Sequence, residues 1–184
     1  MKEGQNRAVL IKLIQSLRSK GSWCGETHIQ KAAFFLKNLT GVPIDFDFIL
    51  YKHGPFSFEM RDEINVMRAF DLLDLKAQYP YGPQVVDTDG GKALCERFPK
   101  TLAEYEKQID FIANKLGDKG VVDLERLATA YYVTLEQPDI KDQNARAREI
   151  VDLKPHIKPE AARQAVIDVD ALIAEVNKQE LRAA

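Results

Sequence analysis

The sequence predicts a mainly α-helical fold with a small β-sheet, which belongs to the α+β class. Two observations carry this prediction. Apolar residues recur at three- and four-residue steps over most of the 184 residues, which is the spacing of a buried helix face. Between residues 46 and 94 that spacing gives way to alternating apolar residues and to Gly and Pro, which indicates short strands and turns around one further helix.

The first two helices are predicted over residues 6–19 and about 26–39. The second is expected to stop at Gly41, since Gly accepts the backbone conformation that often follows a helix. The apolar stripes of the two helices are Leu10, Leu13, Ile14 and Leu17, and then Ile29, Ala32, Ala33 and Leu36.

A strand is predicted over residues 46–50, where Phe46, Phe48 and Leu50 fall on one side. Alternation of this kind is typical of a half-buried strand. Gly54-Pro55 is expected to end the strand in a tight turn, because Pro cannot continue a ladder of hydrogen bonds.

The next helix is expected to have Ser57 as its N-cap and to carry two distinct faces. The apolar arc consists of Met60, Ile64, Met67 and Phe70, extended by Val66 and Leu73. Arg61, Asn65 and Arg68 lie opposite at steps of four and three, so we expect them to form one exposed polar stripe.

A β-hairpin is predicted after this helix. Leu73 and Leu75 begin an alternating strand, residues 79–83 form a rigid turn, and residues 84–86 return as the second strand. Residues 87–91 then break the strand before a helix that begins at Lys92.

Helices, a strand, a helix and a hairpin in this order are typical of a winged helix-turn-helix, in which the hairpin is the wing. We therefore predict a winged-helix-like domain over residues 1–98 and an all-helical domain over residues 99–184, with the boundary at Phe98-Pro99. Winged helices usually bind nucleic acid or another protein.

The second domain is predicted to contain helices capped by Thr101, in a capping box with Glu104, and by Asp123. A break over residues 136–139 separates these from a shorter helix over residues 142–153.

The last helix is expected to carry Pro159 in its first turn. Its apolar stripe indicates either ordinary core packing or the seam of a homodimer. The stripe consists of Ala162, Ala165, Val166, Val169, Leu172, Ile173 and Val176.

Composition and charge limit the classes of function. No apolar run approaches the roughly 20 residues that span a bilayer, and polar residues interrupt the N-terminal apolar positions, so we expect a cytoplasmic protein without a membrane partner. Cys24 and Cys95 stand far apart and are expected to be reduced structural thiols. The net charge is −2, yet residues 1–41 carry seven Lys/Arg against two Asp/Glu, or +5, and residues 42–99 carry six against ten, or −4.

Catalytic and metal-binding signals are weak. The chain contains no phosphate-binding Gly loop, no GxSxG and no HExxH motif. His28, His53 and His156 are far apart in sequence, and none has a His or Cys at the spacing of a metal site. We therefore predict no catalytic residues, no metal and no cofactor.

DNA binding is the first of two functional interpretations. Arg and Asn side chains suit base edges, and Arg61, Asn65 and Arg68 project from the helix that a winged fold inserts into the major groove. Lys52 and Lys76 could reach phosphates from the strand and the wing. Acidic residues in the same region oppose this interpretation, namely Glu59, Asp62, Glu63, Asp71 and Asp74.

Protein binding is the second interpretation. The basic N-terminal segment and the acidic segment after it could pair with a complementary partner or with a second copy of the chain. Aromatic residues around the HGP turn and the hairpin could anchor such a contact or could pack in the core and wing. They are Tyr51, Phe56, Phe58, Tyr79 and Tyr81.

Several motifs resemble a known bacterial family. The segments THIQKAAFFLKNLTG and FDFILYKHGPFSFEMRDEINVMRAFDLL, with the later LERLATAYYV and IVDLKPHIKPEAARQAV, look like the YwgA-like proteins. That group is distantly similar to Panacea, or SocA-like, antitoxin domains, which implies neutralisation of a toxin by direct contact. His53 stands where the commoner pattern has Tyr. HGPFS and LKPHI are the most specific motifs of this resemblance.

These observations predict a non-enzymatic regulatory binding protein that uses a winged-helix domain on DNA. The alternative is an antitoxin-like or adaptor protein that acts by direct protein contact. The residues expected to bind nucleic acid or a partner are Lys52, His53, Arg61, Asn65, Arg68 and Lys76.

Overall fold

A computed structural model describes residues 1–79 and 81–183, without the side chains of Gln78 and Tyr81. It is 65% helical with two small antiparallel sheets of two strands each, which confirms a mainly α fold of the α+β class. The elements are α1 (Glu3–Ser19), α2 (Glu26–Thr40), β1 (Ile49–Tyr51), β2 (Gly54–Phe56), α3 (Phe58–Ala69), β3 (Leu73–Gln78), β4 (Tyr81–Asp87), α4 (Asp89–Glu96), α5 (Pro99–Leu116), α6 (Val121–Glu136), α7 (Gln143–Leu153) and α8 (Pro159–Lys178).

The helix α2 lies at the centre of the molecule and packs against α1, α5 and α6. It begins and ends as the sequence predicts, with the left-handed Gly41 directly after it. Most of its side chains are buried, including the polar pair Gln30 and Lys31. A central helix of this kind has no solvated face, so its polar residues must find partners inside the protein.

The first predicted strand is shifted along the chain. Residues 46–48 are not in a strand, although Phe46 is buried as its alternation predicts. The strand β1 instead pairs with β2, and Pro55 lies opposite Leu50. The expectation that Gly54-Pro55 ends the strand is therefore wrong. A two-stranded sheet tolerates Pro because β2 has an open edge, where the missing amide breaks no ladder.

The helix α3 has the cap and the two faces that the sequence predicts, with two exceptions. Ser57 accepts a hydrogen bond from the Met60 amide and caps the helix. Met60, Ile64 and Met67 are buried. Phe70 and Val66, assigned to the same apolar arc, are 67% and 38% exposed. Phe70 follows the last helical residue, and the chain turns away there, so the helical spacing no longer places its side chain.

The hairpin β3–β4 is present as predicted, with Leu73 opposite Asp87 and Leu75 opposite Val85. Its strands are longer than expected and the connection is correspondingly short; Pro80 of the predicted turn lies outside the described residues.

Gly90 and Gly91 lie inside α4, which begins at Asp89, three residues before the predicted helix start at Lys92. A Cβ at these positions would lie 2.4 Å from the Asp71 carbonyl oxygen and 2.3 Å from that of Leu72. The glycines therefore allow α4 to approach the chain that enters β3, and they do not form the break that the sequence suggested.

Two helix starts after residue 98 also differ from the predicted caps. The helix α5 begins at Pro99, and Thr101 is buried in its first turn, where its hydroxyl accepts a hydrogen bond from Gln5. The helix α6 begins at Val121 after Gly120, so Asp123 is not its cap. Neither Phe98 nor Gly120 has a side chain that caps its helix, so a search of the sequence for capping side chains favours Thr101 and Asp123 instead. The helices α7 and α8 lie where the sequence predicts them.

The apolar stripe of α8 belongs to the core of the chain itself. Ala162, Val166, Val169 and Val176 have no exposed surface, because α8 packs against α6 and α7. The interpretation of this stripe as a homodimer seam is therefore wrong. Association of the basic and acidic segments of two copies stays a prediction.

One continuous set of buried residues joins the two halves of the chain. It extends from Val9 in α1 through α2 and α5 to Val176 in α8, and α1 packs along α5. The division at residues 98 and 99 stays a prediction. Among the described residues, no helix combines the length and the apolar character needed to cross a membrane.

Candidate functional site

The described residues form a cleft of about 740 Å³. Its volume falls within the range of about 300–1,000 Å³ that is common for sites of small ligands. Four parts of the chain line it: one face of α3, the start of α6 with the loop before it, the start of α2 with residues 21–25, and the hairpin β3–β4.

The exposed stripe of α3 forms one wall of this cleft. Arg61, Asn65 and Arg68 are exposed along the helix and line the cleft together with the buried Ile64. Arg68 Nη1 donates to Asn65 Oδ1 at 3.3 Å, and Arg61 donates to the exposed carboxylate of Asp62 at 2.9 Å. Such exposed pairs contribute little stability, so both guanidinium groups remain available to a ligand.

Another part of the lining is the loop over residues 117–120 with the first residue of α6. Gly120 is the N-cap of α6 and provides no side-chain acceptor. Val121 and Val122 are 52% and 58% exposed at this helix start. The cleft wall thus combines apolar surface with the positive end of a helix dipole.

The start of α2 contributes Trp23 and His28. The Trp23 indole donates to the Gly82 carbonyl at 3.0 Å and so connects the α2 side of the cleft to the hairpin. His28 is buried, with Nε2 2.8 Å from the Leu116 carbonyl oxygen and Nδ1 2.9 Å from Ser22 Oγ. Burial lowers the pKa of His28, so the ring is neutral and donates through Nε2.

The cleft carries more positive than negative side chains. Its lining includes the positive side chains Arg61, Arg68 and Lys119 and the negative side chains Glu26 and Asp118. Glu26 lies in the first turn of α2, where a carboxylate offsets the helix dipole. The first turn of α6 also contains a carboxylate, Asp123, which pairs with Arg126 at 3.3 Å.

The remaining residues that the sequence assigned to binding lie outside this cleft. Lys52 and His53 form the exposed turn between β1 and β2, and Lys76 is exposed on β3. The structure therefore brings together Arg61, Asn65 and Arg68 in one site and does not bring Lys52, His53 and Lys76 into its lining.

A second polar cluster joins the two most specific motifs of the sequence. Glu125 in α6 lies between His53 of HGPFS and His156 of LKPHI, with oxygens 3.5 Å from His53 Nδ1 and 3.0 Å from His156 Nε2. The Glu125 side chain is only 10% exposed, whereas both imidazoles are largely in solvent. Lys154 donates to the carbonyl oxygens of Tyr51 and Lys52, so it holds the β1–β2 turn.

The buried Lys31 lies beneath the same turn. Its Nζ donates to the Pro55 carbonyl at 2.8 Å, and burial lowers its pKa to about 8, although the nearby Glu125 charge opposes this shift. Burial also lowers the pKa of Lys154. Lys31 and Lys154 thus each donate to main-chain carbonyls in or next to the HGP turn. The motif therefore has a structural role, because this turn positions the start of α3.

Nucleophilic and metal chemistry find little support in the described residues. Burial raises the pKa of the Cys24 thiol to about 12 and also raises that of Cys95, so neither thiol supplies a thiolate at neutral pH. Within residues 1–79 and 81–183, no group of three or more His, Cys, Asp or Glu is arranged to hold a metal ion.

An aromatic cluster lies on the surface next to the cleft. The rings of Tyr51, Phe56 and Phe58 lie 5.1–5.8 Å apart, and the Arg61 guanidinium is 5.1 Å from the Phe58 ring centroid. Tyr79 is almost fully exposed on the hairpin, and the side chain of Tyr81 lies outside the described residues. Because Arg61 also lines the cleft, the cluster and the cleft form one continuous surface.

Comparison with known proteins provides no further assignment. No family model matches the chain, and no curated protein matches it at a significant level. The resemblance to the YwgA-like group therefore stays a prediction.

Sequence reasoning missed the part of the site that comes from beyond residue 98. Lys119, Gly120 and Val121 line the cleft, but a Gly-Asp-Lys-Gly loop is an ordinary connection and gives no local signal. Glu125 was missed because its partners, His53 and His156, are distant in sequence. The two motifs that contain these histidines were the one available signal.

Proposed function

We propose that this chain is a non-enzymatic regulatory binding protein that holds a short segment of a partner protein in the cleft beside α3. The sequence favoured DNA binding first and protein binding second, and this proposal reverses that order. One observation carries it: the stripe of Arg61, Asn65 and Arg68 lines the same cleft as residues 117–121.

The position of α3 in the lining of a cleft disfavours its insertion into DNA. A recognition helix fills the major groove, which is about 12 Å wide and about 8.5 Å deep, because a helix with its side chains is about 10–12 Å across. Such a helix must protrude, whereas α3 shares a cleft with the start of α6. A narrow ligand, such as an extended peptide segment, can enter this cleft where a duplex cannot.

The surface beside the cleft has the composition of a protein interface. Tyr51, Phe58 and Arg61 are exposed and mutually packed, and Tyr, Trp and Arg dominate the residues that contribute most to protein–protein affinity. Trp23 adds a further aromatic side chain inside the cleft. A partner that inserts a segment into the cleft would rest its neighbouring surface on this aromatic cluster.

We further propose that residues 1–98 form a winged-helix-like unit, with β3–β4 as the wing, and that residues 99–184 form a helical domain. The order of α1, α2, α3 and the hairpin supports this proposal. The resemblance to antitoxin domains, which implies neutralisation of a toxin by direct contact, agrees with a protein partner held by such a unit.

Site-specific photocrosslinking in the native host tests the proposed function. A photoreactive phenylalanine at Val121, on the cleft wall, should form discrete adducts with a protein that survive nuclease treatment. The same group at Leu135 is the matched control, because Leu135 is 40% exposed on the same helix and does not line the cleft. Identical adduct patterns from the two positions would rule out the cleft as the binding site.

DNA binding through the same stripe is the second candidate, and the exposure of Arg61, Asn65 and Arg68 favours it. In that case, Arg68→Ala should cost about 1–3 kcal/mol of binding free energy where the side chain reads a base, and affinity should fall with salt. Fluorescence anisotropy with genomic fragments at low salt measures both effects. Nuclease-sensitive adducts from Val121 would also favour this candidate.

A further inference from the structure

We infer that two copies of this chain associate through β1, which pairs antiparallel with β1 of the second copy about Leu50. The two-stranded sheets of the two copies then join into one four-stranded sheet. Since β1 lies outside the lining of the cleft, this contact and the proposed function can be tested separately.

One edge of β1 is open to a further strand. Among the described residues its sheet contains only β1 and β2, and the helices α2 and α6 pack against β2. Leu50 lies opposite Pro55, which has no amide hydrogen, so these two residues cannot exchange hydrogen bonds within the sheet. Because bonded and non-bonded pairs alternate along an antiparallel ladder, the amide and the carbonyl of Leu50 point to the outer edge.

The unpaired part of this edge is centred on Leu50. Lys37 donates to the Phe46 carbonyl at 2.6 Å, and Lys154 donates to the Lys52 carbonyl at 2.8 Å. These two lysines hold the main chain just before and just after β1. A second strand therefore pairs most readily at Leu50, where the main-chain groups have no such partner.

The exposed side chains of β1 are complementary to themselves in this arrangement. A two-fold axis at the centre of the strand places Ile49 opposite Tyr51 of the second copy, and Asp47 opposite its His53. Ile49 and Tyr51 are 52% and 43% exposed, and each would cover the other across the axis. Asp47 has a 91% exposed side chain and would lie beside the basic turn that follows β1. Cross-strand pairs of both kinds stabilise a sheet.

This order of side chains favours a second copy over an unrelated strand. Acidic, apolar, aromatic and basic residues follow one another along β1, and the reversed strand presents their complements in register. β1 contains neither Pro nor Lys, which commonly protect an exposed edge. Dimerisation would also cover Tyr51, whose ring contacts those of Phe56 and Phe58, and would withdraw part of the aromatic cluster from the proposed partner.

Sedimentation equilibrium of the full-length chain tests the association. β1 has three residues, so we expect a weak dimer with a Kd of about 1–100 µM. Ile49→Lys should weaken the dimer about tenfold or more, because it puts a charge on the strand edge opposite Tyr51. The control Ile167→Lys makes the same change at a 36% exposed position on α8 and should leave the Kd within about twofold. A monomer up to about 500 µM, or equal effects of the two variants, would overturn the inference.

A mixture of two charged variants tests the antiparallel arrangement. Ile49→Lys and Tyr51→Glu should each weaken self-association. In the mixture, the introduced lysine of one chain lies opposite the introduced glutamate of the other, and the second Ile49–Tyr51 contact is unchanged. We therefore expect a heterodimer about tenfold tighter than either variant homodimer. A mixture that associates no better than the separate variants would show that these two positions do not meet.

Cysteine crosslinking tests the register with uncharged substitutions, should a charged variant fail to fold. Ile49 and Tyr51 of two copies form a non-bonded pair with Cα atoms about 4.5 Å apart, which a disulfide can bridge. A mixture of Ile49→Cys and Tyr51→Cys chains should therefore form linked dimers under mild oxidation. Either variant alone should link far less, because identical residues lie two positions apart, and the wild type, with Cys24 buried and Cys95 half-buried, is the control. Equal linkage of the mixture and the single variants would overturn the register.

Discussion

The side chain of Gln30 exchanges two hydrogen bonds with the main chain of Ser57. Oε1 accepts from the Ser57 amide at 2.8 Å, and Nε2 donates to the Ser57 carbonyl at 2.9 Å. The next residue, Lys31, donates to the Pro55 carbonyl. Two successive residues of α2 thereby fix the chain from Pro55 in β2 to the N-cap of α3, and this part of the chain sets the position of the α3 stripe in the cleft.

Gln30→Ala should lower the free energy of unfolding by about 1–3 kcal/mol, because it leaves the buried Ser57 amide without a partner, whereas the Ser57 carbonyl keeps its bond from the Arg61 amide. Urea denaturation followed by circular dichroism measures the change. Asn38→Ala on the same helix is the control. The partly buried Asn38 side chain donates to the Phe34 carbonyl within α2, so its loss should change stability by no more than about 0.5 kcal/mol. Similar costs for both variants would contradict the role assigned to Gln30.

The free energy of unfolding of Lys31→Met should fall relative to that of the wild type as pH rises. The folded pKa of Lys31 is about 8, against an ordinary value of 10.5. Between these values the unfolded chain holds a proton that the folded chain has lost. The wild type therefore gains stability relative to the variant as pH rises, by at most about 1.4 kcal/mol per pH unit. Other groups titrate in both proteins and cancel in the difference. A constant difference from pH 8 to 10.5 would show that burial does not perturb Lys31.

The sequence was most informative where local chemistry decides the structure. Gly41 after α2, Ser57 before α3 and Pro159 in the first turn of α8 each act through their own backbone or side chain. The strand at β1 was misplaced because its partner is β2, which contains Pro55. The donor to the Pro55 carbonyl is Lys31, 24 positions earlier, and no local rule connects these two residues.

The candidate site was predictable in part for the same reason. Helical spacing alone placed Arg61, Asn65 and Arg68 on one face of α3. Their environment depends on residues 117–121, which reach the cleft only because α5 and α6 pack on α1 and α2. A tertiary contact of this kind makes an exposed stripe part of a cleft wall. It therefore also changes the class of ligand that the stripe can bind.

His28→Gln should remove part of the acid sensitivity of the fold. Burial lowers the folded pKa of His28 below 6.5, so below about pH 6.5 the unfolded chain binds a proton that the folded chain does not. The wild type therefore loses stability as pH falls through this range, by at most about 1.4 kcal/mol per pH unit. Gln can still donate to the Leu116 carbonyl but does not titrate. Thermal melts from pH 5 to 8 should give parallel curves above pH 7 and divergent ones below pH 6.5.

Arg146→Ala should destabilise the packing of α7 on α8. Arg146 donates to both oxygens of Asp170 at 2.8 and 2.7 Å, and its side chain is 6% exposed. Burial raises the pKa of Asp170, but the hydrogen bonds from Arg146 and Gln143 outweigh it, and the net pKa is lowered. We expect a loss of about 2–3 kcal/mol, below the roughly 3–5 kcal/mol of a fully buried pair because Asp170 is about one-third exposed. Arg163→Ala, at an exposed position on α8, should change stability by less than about 0.5 kcal/mol.

Gly91→Ala should destabilise the protein, although Ala is normally the better helix residue by about 0.5–1 kcal/mol. A Cβ at Gly91 would lie 2.3 Å from the Leu72 carbonyl oxygen, and this oxygen belongs to main chain that cannot rotate away like a flexible side chain. The helix α4 would have to move from the start of β3, and overpacking of this kind costs about 1–3 kcal/mol. Gly82→Ala is the control, because no atom lies within 4 Å of a Cβ there. Urea midpoints measure both changes, and a gain in stability from Gly91→Ala would show that α4 and β3 are not held in close contact.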